Sequence, residues 1–505
     1  MRLLRLHLGD YHVLHDLKIE FEPVERARQA ERPYSLDFLV GVNGSGKSTV
    51  LRALADIFQG LSGEQQAIKF AFEIEYWLEE RSVRIAARNT HPETDALLDG
   101  FLVSKSDSLT DEMPAFDPEQ LIDVLTPEQL PARVIAYTTG AEADWTSTDI
   151  RSVFNTSNSD VLPESAEERA LRELPEQHIR STAAEKVPST IFRLVPKDDM
   201  STVALCGLLV NAAETDTLNR PLKNVFAEAK INSVTGFALR FDISAATFAE
   251  QQAIQNRLAR FAMRKNRNGG EVRLLFRLGD FATNLKDEFG SGLALYEFLS
   301  DLAISSDKKR PVFRGASLFI ERHRENGQIP PLHTWDWLSD GERSFLGRMC
   351  LFLLFGETDA LILLDEPEVH FNDYWKRHIV SLLHSVLTQK EATRKNACHL
   401  LIATHSSIAL TDVHRDDIIL LVREGLKTSG PSYTPNFQTF GADPSDIMVH
   451  VFGTQFANGE RSVSYIREKI GQSSREQLVD LQNEVAPGYW YYRIQLEIDQ
   501  FGKQD

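Results

Sequence analysis

Apolar and polar residues alternate along the beginning of the chain, which is the pattern of β-strands with one buried face. The alternation runs from Leu3 to Leu8 and again from Leu17 to Phe21, and the intervening Gly9-Asp10 predicts a β-hairpin. A largely apolar segment from Ser35 to Val40 predicts a buried strand. A glycine-rich turn follows, and then a helical pattern from Thr49 to Phe58.

Later segments repeat these two patterns. Alternation from Phe70 to Trp77 and from Ser82 to Arg88 predicts two antiparallel strands. Apolar runs at Ala132 to Tyr137, Ala360 to Leu364 and Cys398 to Ala403 predict further buried strands. Buried strands that alternate with helical segments are typical of an α/β fold, and the alternating strands predict an additional antiparallel lobe.

The character of the chain changes between about residues 141 and 313, where prolines recur and helical and strand-like segments mix. We interpret this stretch as an inserted, mainly helical α+β domain. Helices are predicted at Phe248 to Lys265 and Leu293 to Leu302, and strands at Gly236 to Ile243 and Val272 to Leu278. The predicted division is 1–140 and 314–424 for the two parts of one domain, 141–313 for the insertion and 425–505 for a C-terminal segment that packs on that domain.

Composition excludes several classes of protein. The 505 residues carry a net charge of −18, which argues against a basic surface for indiscriminate nucleic-acid binding. The apolar runs are far shorter than the roughly 18 to 20 residues that cross a bilayer, and the N-terminus lacks the pattern of a secretory signal. Cys206, Cys350 and Cys398 are too widely spaced for a metal motif. We expect a cytoplasmic protein without a membrane partner.

The turn after the first buried strand matches a phosphate-binding motif. Gly41 to Ser48 reads G-x-x-x-x-G-K-S and lies between a predicted strand and a predicted helix, a context that disfavours a chance glycine-rich turn. The glycines let backbone N–H groups approach phosphate oxygens, Lys47 would contact the β- and γ-phosphates, and the Ser48 hydroxyl would ligate Mg²⁺. The predicted ATP-binding residues of this loop are Asn43, Gly44, Ser45, Gly46, Lys47, Ser48 and Thr49.

A second motif lies at the end of a later strand. Leu361 to Leu364 is apolar and is followed by Asp365 and Glu366. Asp365 would hold Mg²⁺, and Glu366 would orient or deprotonate the attacking water. By itself this segment is equally compatible with an apolar strand that ends in a solvated acidic turn.

Two further segments carry a resemblance to a known family. Leu338-Ser339-Asp340-Gly341-Glu342 resembles the signature motif of ABC-type ATPases, and Thr404-His405-Ser406 resembles their switch-histidine loop. The order of the motifs is that of the family. The resemblance implies an α/β ABC ATPase head with a mixed sheet and an antiparallel lobe, interrupted by the mainly helical insertion. In such a head Ser339, Gly341 and Glu342 contact nucleotide held by a partner head, and Glu366, His405 and Lys47 are catalytic.

The resemblance is to the branch that includes the SMC, RecF and OLD-type ATPases. Leu6 to Leu14 looks like that branch's opening strand and loop, and Asp365 to His370 looks like its extended acidic motif. Tyr433 to Phe452 is similar to the C-terminal portion of ATPases from bacterial anti-phage operons of the Septu and retron-associated kind. Asn372 replaces the aspartate that many ABC heads carry in the D-loop, and the Q-loop glutamine is left unassigned.

The resemblance also implies a function. The chain would form a homodimer or higher oligomer around ATP and Mg²⁺, convert ATP and water to ADP and phosphate, and control a companion nuclease of HNH or TOPRIM type in anti-phage defence. The alternative is an ATPase of RecF or SMC type that acts directly on DNA in repair or chromosome maintenance. A self-contained OLD-type nuclease is disfavoured, because the residues after Leu421 lack the acidic strand pattern of a TOPRIM domain.

Basic residues cluster in the predicted insertion. Arg257, Arg260, Arg264 and Arg267 recur at intervals of three, four and three, which would place them on one stripe of the predicted helix. Such a stripe predicts contact with the phosphate backbone of DNA or RNA. The alternative, a basic face that is solvated or paired with acidic residues, is the commoner case.

Overall fold

The structure is a computed structural model. It describes residues 1–21, 34–64, 68–145, 191–209, 222–303, 311–322, 332–356, 360–388, 398–425 and 427–501. Within these residues the fold is α/β, as the sequence predicts, and it contains three sheets.

The strands are β1 (Arg2–Leu8), β2 (Leu14–Glu20), β3 (Ser35–Val40), β4 (Phe72–Leu78), β5 (Val83–Thr90), β6 (Leu97–Ser106), β7 (Leu121–Ile122), β8 (Arg133–Thr138), β9 (Phe192–Val195), β10 (Ile231–Asp242), β11 (Arg264–Asn268), β12 (Glu271–Arg277), β13 (Phe313–Arg322), β14 (Leu332–Thr334), β15 (Ala360–Asp365), β16 (His399–Ala403), β17 (Ile418–Leu420), β18 (Arg423–Glu424) and β19 (Lys427–Pro431). The helices are α1 (Lys47–Leu61), α2 (Met200–Leu209), α3 (Lys223–Glu228), α4 (Phe248–Arg257), α5 (Leu278–Phe289), α6 (Gly292–Ala303), α7 (Asp340–Phe355), α8 (Asp373–Leu387), α9 (Ser407–Leu410), α10 (Pro444–His450), α11 (Glu460–Gln472), α12 (Arg475–Glu484) and α13 (Tyr489–Phe501).

A six-stranded sheet with the order β17-β3-β16-β15-β8-β9 forms the centre of the fold, and all its strand pairs are parallel. Every residue of β15 is buried, because both faces of the sheet are covered. Leu361 and Leu363 pack in one hydrophobic core with α1, whereas Ile362 and Leu364 pack in a second core with α7 and α8. The parallel arrangement brings the carboxyl ends of β3, β8, β15 and β16 to one edge.

The first core lies beneath an eight-stranded sheet with the order β18-β19-β2-β1-β4-β5-β6-β7. The predicted hairpin of β1 and β2 and the antiparallel pair β4–β5 are confirmed. The strand β19 runs parallel to β2, so that this sheet is mixed. Its edge hairpin, β18–β19, brings a C-terminal segment back to the start of the chain.

A five-stranded antiparallel sheet, β11-β12-β10-β13-β14, contains strands from the predicted insertion. Its buried residues Phe237 and Leu239 share a core with Phe352 of α7, and β9 joins the central sheet. The described residues of the predicted insertion therefore pack in the same hydrophobic core as the central sheet and α7. The domain boundaries at 141 and 313 stay a prediction.

One predicted helix is shorter than expected. The capping box of Thr247 and Glu250 begins α4, but this helix ends at Arg257, and β11 occupies part of the predicted range. The reason is a tight turn at Gly269-Gly270, where Gly269 has φ +60°, which folds β11 back onto β12. A Gly-Gly pair between two strand-compatible segments is a hairpin signal, and helical spacing of the arginines concealed it.

The C-terminal helices α11, α12 and α13 have a small core of their own. It contains Val463, Leu478, Trp490 and Ile494. None of the helices in the described ranges is long and apolar enough to cross a membrane.

Candidate ATP-binding site

The loop between β3 and α1 lies at the carboxyl edge of the central sheet. Gly44 and Gly46 have φ values of +77° and +91°, which favour glycine, and Gly46 is the residue before the first turn of α1. A Cβ on Gly46 would lie 2.5 Å from Cδ2 of Leu14. Both backbone conformation and space therefore require glycine at position 46. The loop leads into the N-terminus of α1, and a helix N-terminus favours the binding of an anion.

The ammonium group of Lys47 lies inside this loop. Its Nζ donates hydrogen bonds to the carbonyl oxygens of Gly41 at 3.0 Å and Val42 at 3.3 Å. Burial lowers the Lys47 pKa to about 8, against the opposing effect of nearby carboxylates, of which Glu366 is the strongest. The side chain therefore stays mostly protonated at neutral pH and supplies a cation for phosphate.

Oxygen ligands meet beside the lysine. The Ser48 hydroxyl donates to Oδ1 of Asp365 at 2.7 Å, and the Thr138 hydroxyl donates to Oδ2 at 3.2 Å. Burial raises the Asp365 pKa, whereas these two hydrogen bonds lower it. A hydroxyl and a carboxylate in contact fit Mg²⁺, which takes few protein oxygens and completes its shell with water and phosphate.

Thr138 was not among the predicted site residues. It ends β8, which pairs in parallel with β15, so that Thr138 lies opposite Asp365. Its position at the end of a predicted buried strand was the available signal. Among the described residues, no group of three or more His, Cys, Asp or Glu side chains is arranged to hold a metal ion.

Glu366 follows β15 in a left-handed backbone conformation with φ +51°, at a cost of order 1–3 kcal/mol. Its N–H donates to the carbonyl of Ala403 at 2.9 Å, and Oε1 lies 3.5 Å from Nε2 of His405. Burial and the Asp365 charge raise the Glu366 pKa, and burial together with Lys47 lowers the His405 pKa to about 4. The histidine is therefore neutral at pH 7, and the carboxylate remains partly accessible to water.

A third carboxylate extends the site. Glu368 is buried and accepts a hydrogen bond from the Thr404 hydroxyl, which in turn accepts one from the N–H of Ser406 at 3.0 Å. This chain of bonds joins the acidic loop to the switch loop that carries His405. Sequence reasoning placed both loops but did not predict the bond between them.

Arg348 of α7 joins the same loop from the opposite side. Its guanidinium is buried and donates to the carbonyl oxygens of Pro367 and Val369 and to the Tyr137 hydroxyl. It also lies between the rings of Tyr137 and Phe371. The helix that follows the signature motif is thereby attached to the acidic loop.

Two family models match the chain over blocks that contain these residues. One is described as "AAA domain, putative AbiEii toxin, Type IV TA system" and matches residues 238–412, and the other is described as "AAA domain" and matches residues 1–122. The first block includes Asp365, Glu366 and His405, and the second includes the loop of Lys47. The chain carries an ATPase domain.

No curated protein gives a significant sequence match. Among solved structures, the SMC head domain from Thermotoga maritima aligns at 12% identity with a TM-score of 0.30, over 85% of this chain and 98% of that chain. A structure of the recombination mediator protein RecF-ATPrS in the RecFOR pathway aligns at 11% identity with a TM-score of 0.28, over 85% and 97%. TM-scores this low carry no argument about activity or partners.

The predicted signature residues of the ATPase lie at the start of α7. Ser339 caps this helix: its hydroxyl accepts from the N–H of Glu342 at 3.3 Å and donates to Oε2 of Glu342 at 2.9 Å. Glu342 also accepts from Arg322. At Gly341, a Cβ would lie 2.9 Å from the carbonyl oxygen of His370. The hydrogen bonds of Ser339 are thus made within its own motif.

Asn372, at the predicted D-loop position, caps α8 by accepting a hydrogen bond from the N–H of Trp375 at 2.8 Å. This is a structural role that an aspartate would also fill.

The predicted arginine stripe does not exist as a helix face. Arg257 ends α4, Arg260 lies in a short 3₁₀ turn, and Arg264 and Arg267 lie on β11. Arg257 and Arg260 both form ion pairs with Glu288. The prediction that these four arginines share one helix face was wrong, because Arg264 and Arg267 lie on β11, which pairs with β12. Their contact with nucleic acid stays a prediction.

Proposed function

We propose that the chain binds ATP with Mg²⁺ and hydrolyses it to ADP and phosphate at a site that a second copy of the chain completes. The observation that supports this best is the convergence of Lys47, Ser48, Asp365, Glu366 and His405 at one edge of the central sheet. The signature residues lie elsewhere, at the start of α7, where the Ser339 side chain bonds Glu342. An isologous dimer would give two equivalent composite sites.

In this proposal each group has one task. Lys47 and the loop N–H groups neutralise phosphate charge, and Ser48 and Asp365 hold Mg²⁺, which would stabilise charge on the phosphates. Glu366 accepts a proton from the attacking water, and neutral His405 supplies a hydrogen bond from the switch loop. Ser339 and Gly341 of the partner copy close the site over the γ-phosphate.

The finer role that we propose is control of a companion nuclease of HNH or TOPRIM type in anti-phage defence. Two observations support it: one matching family model is named for the AbiEii toxin of a type IV toxin–antitoxin system, and Tyr433 to Phe452 resembles defence ATPases. ATP-driven opening and closing of the dimer would move the bound nuclease. The chain itself would not cut DNA.

The experiment measures ATP turnover and DNA cleavage for the purified chain, for the nuclease encoded beside it, and for both together. Cleavage only in the mixture, and its loss with Glu366→Gln in the ATPase, is the expected result. Metal-dependent cutting by this chain alone, removed by substitutions outside the ATP site, would contradict the proposal that the companion nuclease, and not this chain, cuts DNA.

A second candidate is an ATPase that acts directly on DNA, and one surface favours it. The outer face of the five-stranded sheet carries Arg240 directly opposite Arg273, with Arg264 and Arg277 on the same face, and all four are exposed. Like charges opposite each other on a sheet repel. Glu271 reduces this repulsion through an ion pair with Arg273 at 2.7 Å, and a polyanion would relieve the remainder.

The test replaces Arg240, Arg264, Arg273 and Arg277 with glutamine. Weaker DNA binding, a flatter salt dependence and unchanged ATP hydrolysis are expected if this face binds DNA. Arg257→Gln with Arg260→Gln is the control, because these two arginines lie outside that face, in α4 and in the turn that follows it, and share an ion pair with Glu288. Unchanged binding and salt dependence in the fourfold variant would exclude this face.

A further inference from the structure

Two segments from other parts of the sequence lie against the phosphate-binding loop. Val13 and Leu14, where β2 begins, lie against Gly46, and the hairpin β18–β19 contacts the loop through Arg423 and Thr428. The buried Thr428 hydroxyl of β19 donates to the carbonyl oxygen of Ser45 at 2.8 Å. The N–H of Thr428 donates to the carbonyl of Val13 at 2.8 Å. The hairpin therefore bonds both the loop and the segment beside it.

Arg423 of the same hairpin lies directly on the loop. A Cβ on Gly44 would lie 2.6 Å from Nη1 of Arg423, so the guanidinium occupies the space that any other residue at position 44 would need. The Nε of Arg423 donates to the carbonyl of Gly425 at 3.0 Å, which orients the side chain. Among the described side chains, no carboxylate forms an ion pair with Arg423.

A guanidinium in this place has a clear chemical use. Its planar terminal N–H groups match phosphate oxygens, and the loop that it touches leads into the N-terminus of α1, which also favours an anion. Neither composition nor motif spacing marks Arg423, because it follows Gly44 by several hundred residues. Tertiary pairing brings it to the loop: β17 pairs with β3 just before Arg423, and β19 pairs with β2 just after it.

We infer that Arg423 is a second cation of the ATP site, which binds the nucleotide phosphates from the same chain as Lys47, and that Thr428 is a positioning residue for the loop. This inference rests on the proposed function, since it requires that the loop binds ATP. By this inference the hairpin β18–β19, which follows the switch loop in sequence, is part of the nucleotide-binding site.

The first test is Arg423→Gln, measured as the dissociation constants for ATP and ADP at low and high salt. Loss of one charge-assisted contact should weaken binding of both nucleotides about tenfold and should reduce the salt dependence. Lys427→Gln is the matched control, because it removes one positive charge from the same hairpin at a side chain that is 58% exposed and lies 3.8 Å from Asp10. Its affinity should equal that of the unmodified chain.

The results separate this inference from the proposed function. Absence of ATP binding by the unmodified chain overturns both. ATP binding that Lys47→Ala abolishes and Arg423→Gln leaves unchanged overturns the inference alone. An equal loss in Arg423→Gln and Lys427→Gln also overturns it, because the effect would then come from the general charge of the hairpin.

The second test concerns Thr428. Thr428→Val keeps the shape of the side chain but removes the donor to Ser45, and it should raise KM for ATP about fivefold with a smaller effect on kcat. Thr428→Ser restores the donor and should restore KM. A change in thermal stability without any change in KM would show that Thr428 supports only the fold.

Discussion

The hydroxyl of Ser48 donates a 2.7 Å hydrogen bond to Oδ1 of Asp365, although 317 positions separate the two residues in sequence. Ser48 lies in the first turn of α1, the helix that follows β3, and Asp365 ends β15. The strands β3 and β15 are not neighbours, because β16 lies between them in the central sheet. Ser48 and Asp365, the two predicted magnesium ligands, are therefore in direct contact.

Lys47→Ala should impair ATP binding, whereas Glu366→Gln should impair ATP hydrolysis. Lys47→Ala removes the cation inside the loop and should weaken ATP binding by about 100-fold or more, since a buried charge-assisted contact is lost. Glu366→Gln keeps the shape but removes the base, and it should bind ATP normally while kcat falls by about 10²- to 10⁴-fold. Equilibrium ATP binding and single-turnover hydrolysis distinguish the two. Hydrolysis by Glu366→Gln at the unmodified rate would show that another group is the base.

Ser339→Arg should leave ATP binding by the mutant chain largely intact but block hydrolysis, because the serine is proposed to act on the partner's nucleotide. The mixture with Lys47→Ala provides the control. Each variant is inactive alone, and the mixed dimer should recover up to one working site. Complete absence of recovery, with mixed dimers demonstrated, would contradict a composite site.

Arg348→Met should destabilise the protein by roughly 2–4 kcal/mol, because the carbonyls of Pro367 and Val369 and the Tyr137 hydroxyl lose a buried donor. Urea unfolding measures this loss. The control is Arg343→Met on the same helix, whose guanidinium is partly exposed and pairs with the exposed Asp340, so that the change should stay below about 0.5 kcal/mol. Equal stability of the two variants would mean that Arg348 does not hold the acidic loop.

The stability of the protein should fall as pH drops below about 6.5, in part because of His399. Nδ1 of this buried histidine accepts from the N–H of Leu3 at 2.9 Å, so its proton lies on Nε2, which donates to Asp37 at 2.8 Å. Burial lowers the His399 pKa, the bond to Asp37 opposing it. In the unfolded chain His399 takes up a proton near pH 6.5, whereas in the folded chain it does so only at lower pH. Between these two pH values the unfolded state binds more protons, and the free energy of unfolding therefore falls.

The measurement compares the free energy of unfolding at pH 7.5 and pH 5.5 for the unmodified chain and for His399→Asn. The loss between the two pH values should be smaller in the variant, since its residue 399 does not titrate. An identical loss in both proteins would exclude His399 as a contributor.

Local pattern was sufficient for much of the site. The strand, glycine turn and helix around Lys47 are adjacent in sequence, and alternation and motif spacing are properties of neighbouring residues. The same holds for Asp365, Glu366 and His405, each of which follows or ends an apolar strand that periodicity identifies. The local pattern gave the wrong secondary structure at Arg257 to Arg267. Arginines spaced by three and four residues fit one face of a helix, but the same spacing is compatible with a helix end, a turn and a strand, which is what forms.

The sequence by itself determined the strands and loops that carry the phosphate-binding and acidic residues, because propensity, periodicity and turn chemistry act over a few residues. Only the tertiary structure decided that Thr138 bonds Asp365, that Thr404 bonds Glu368 and that Arg423 lies on Gly44. These contacts depend on strand order and on a C-terminal hairpin that pairs with β2. Strand order follows from the packing of all elements together, and no short segment of sequence contains it.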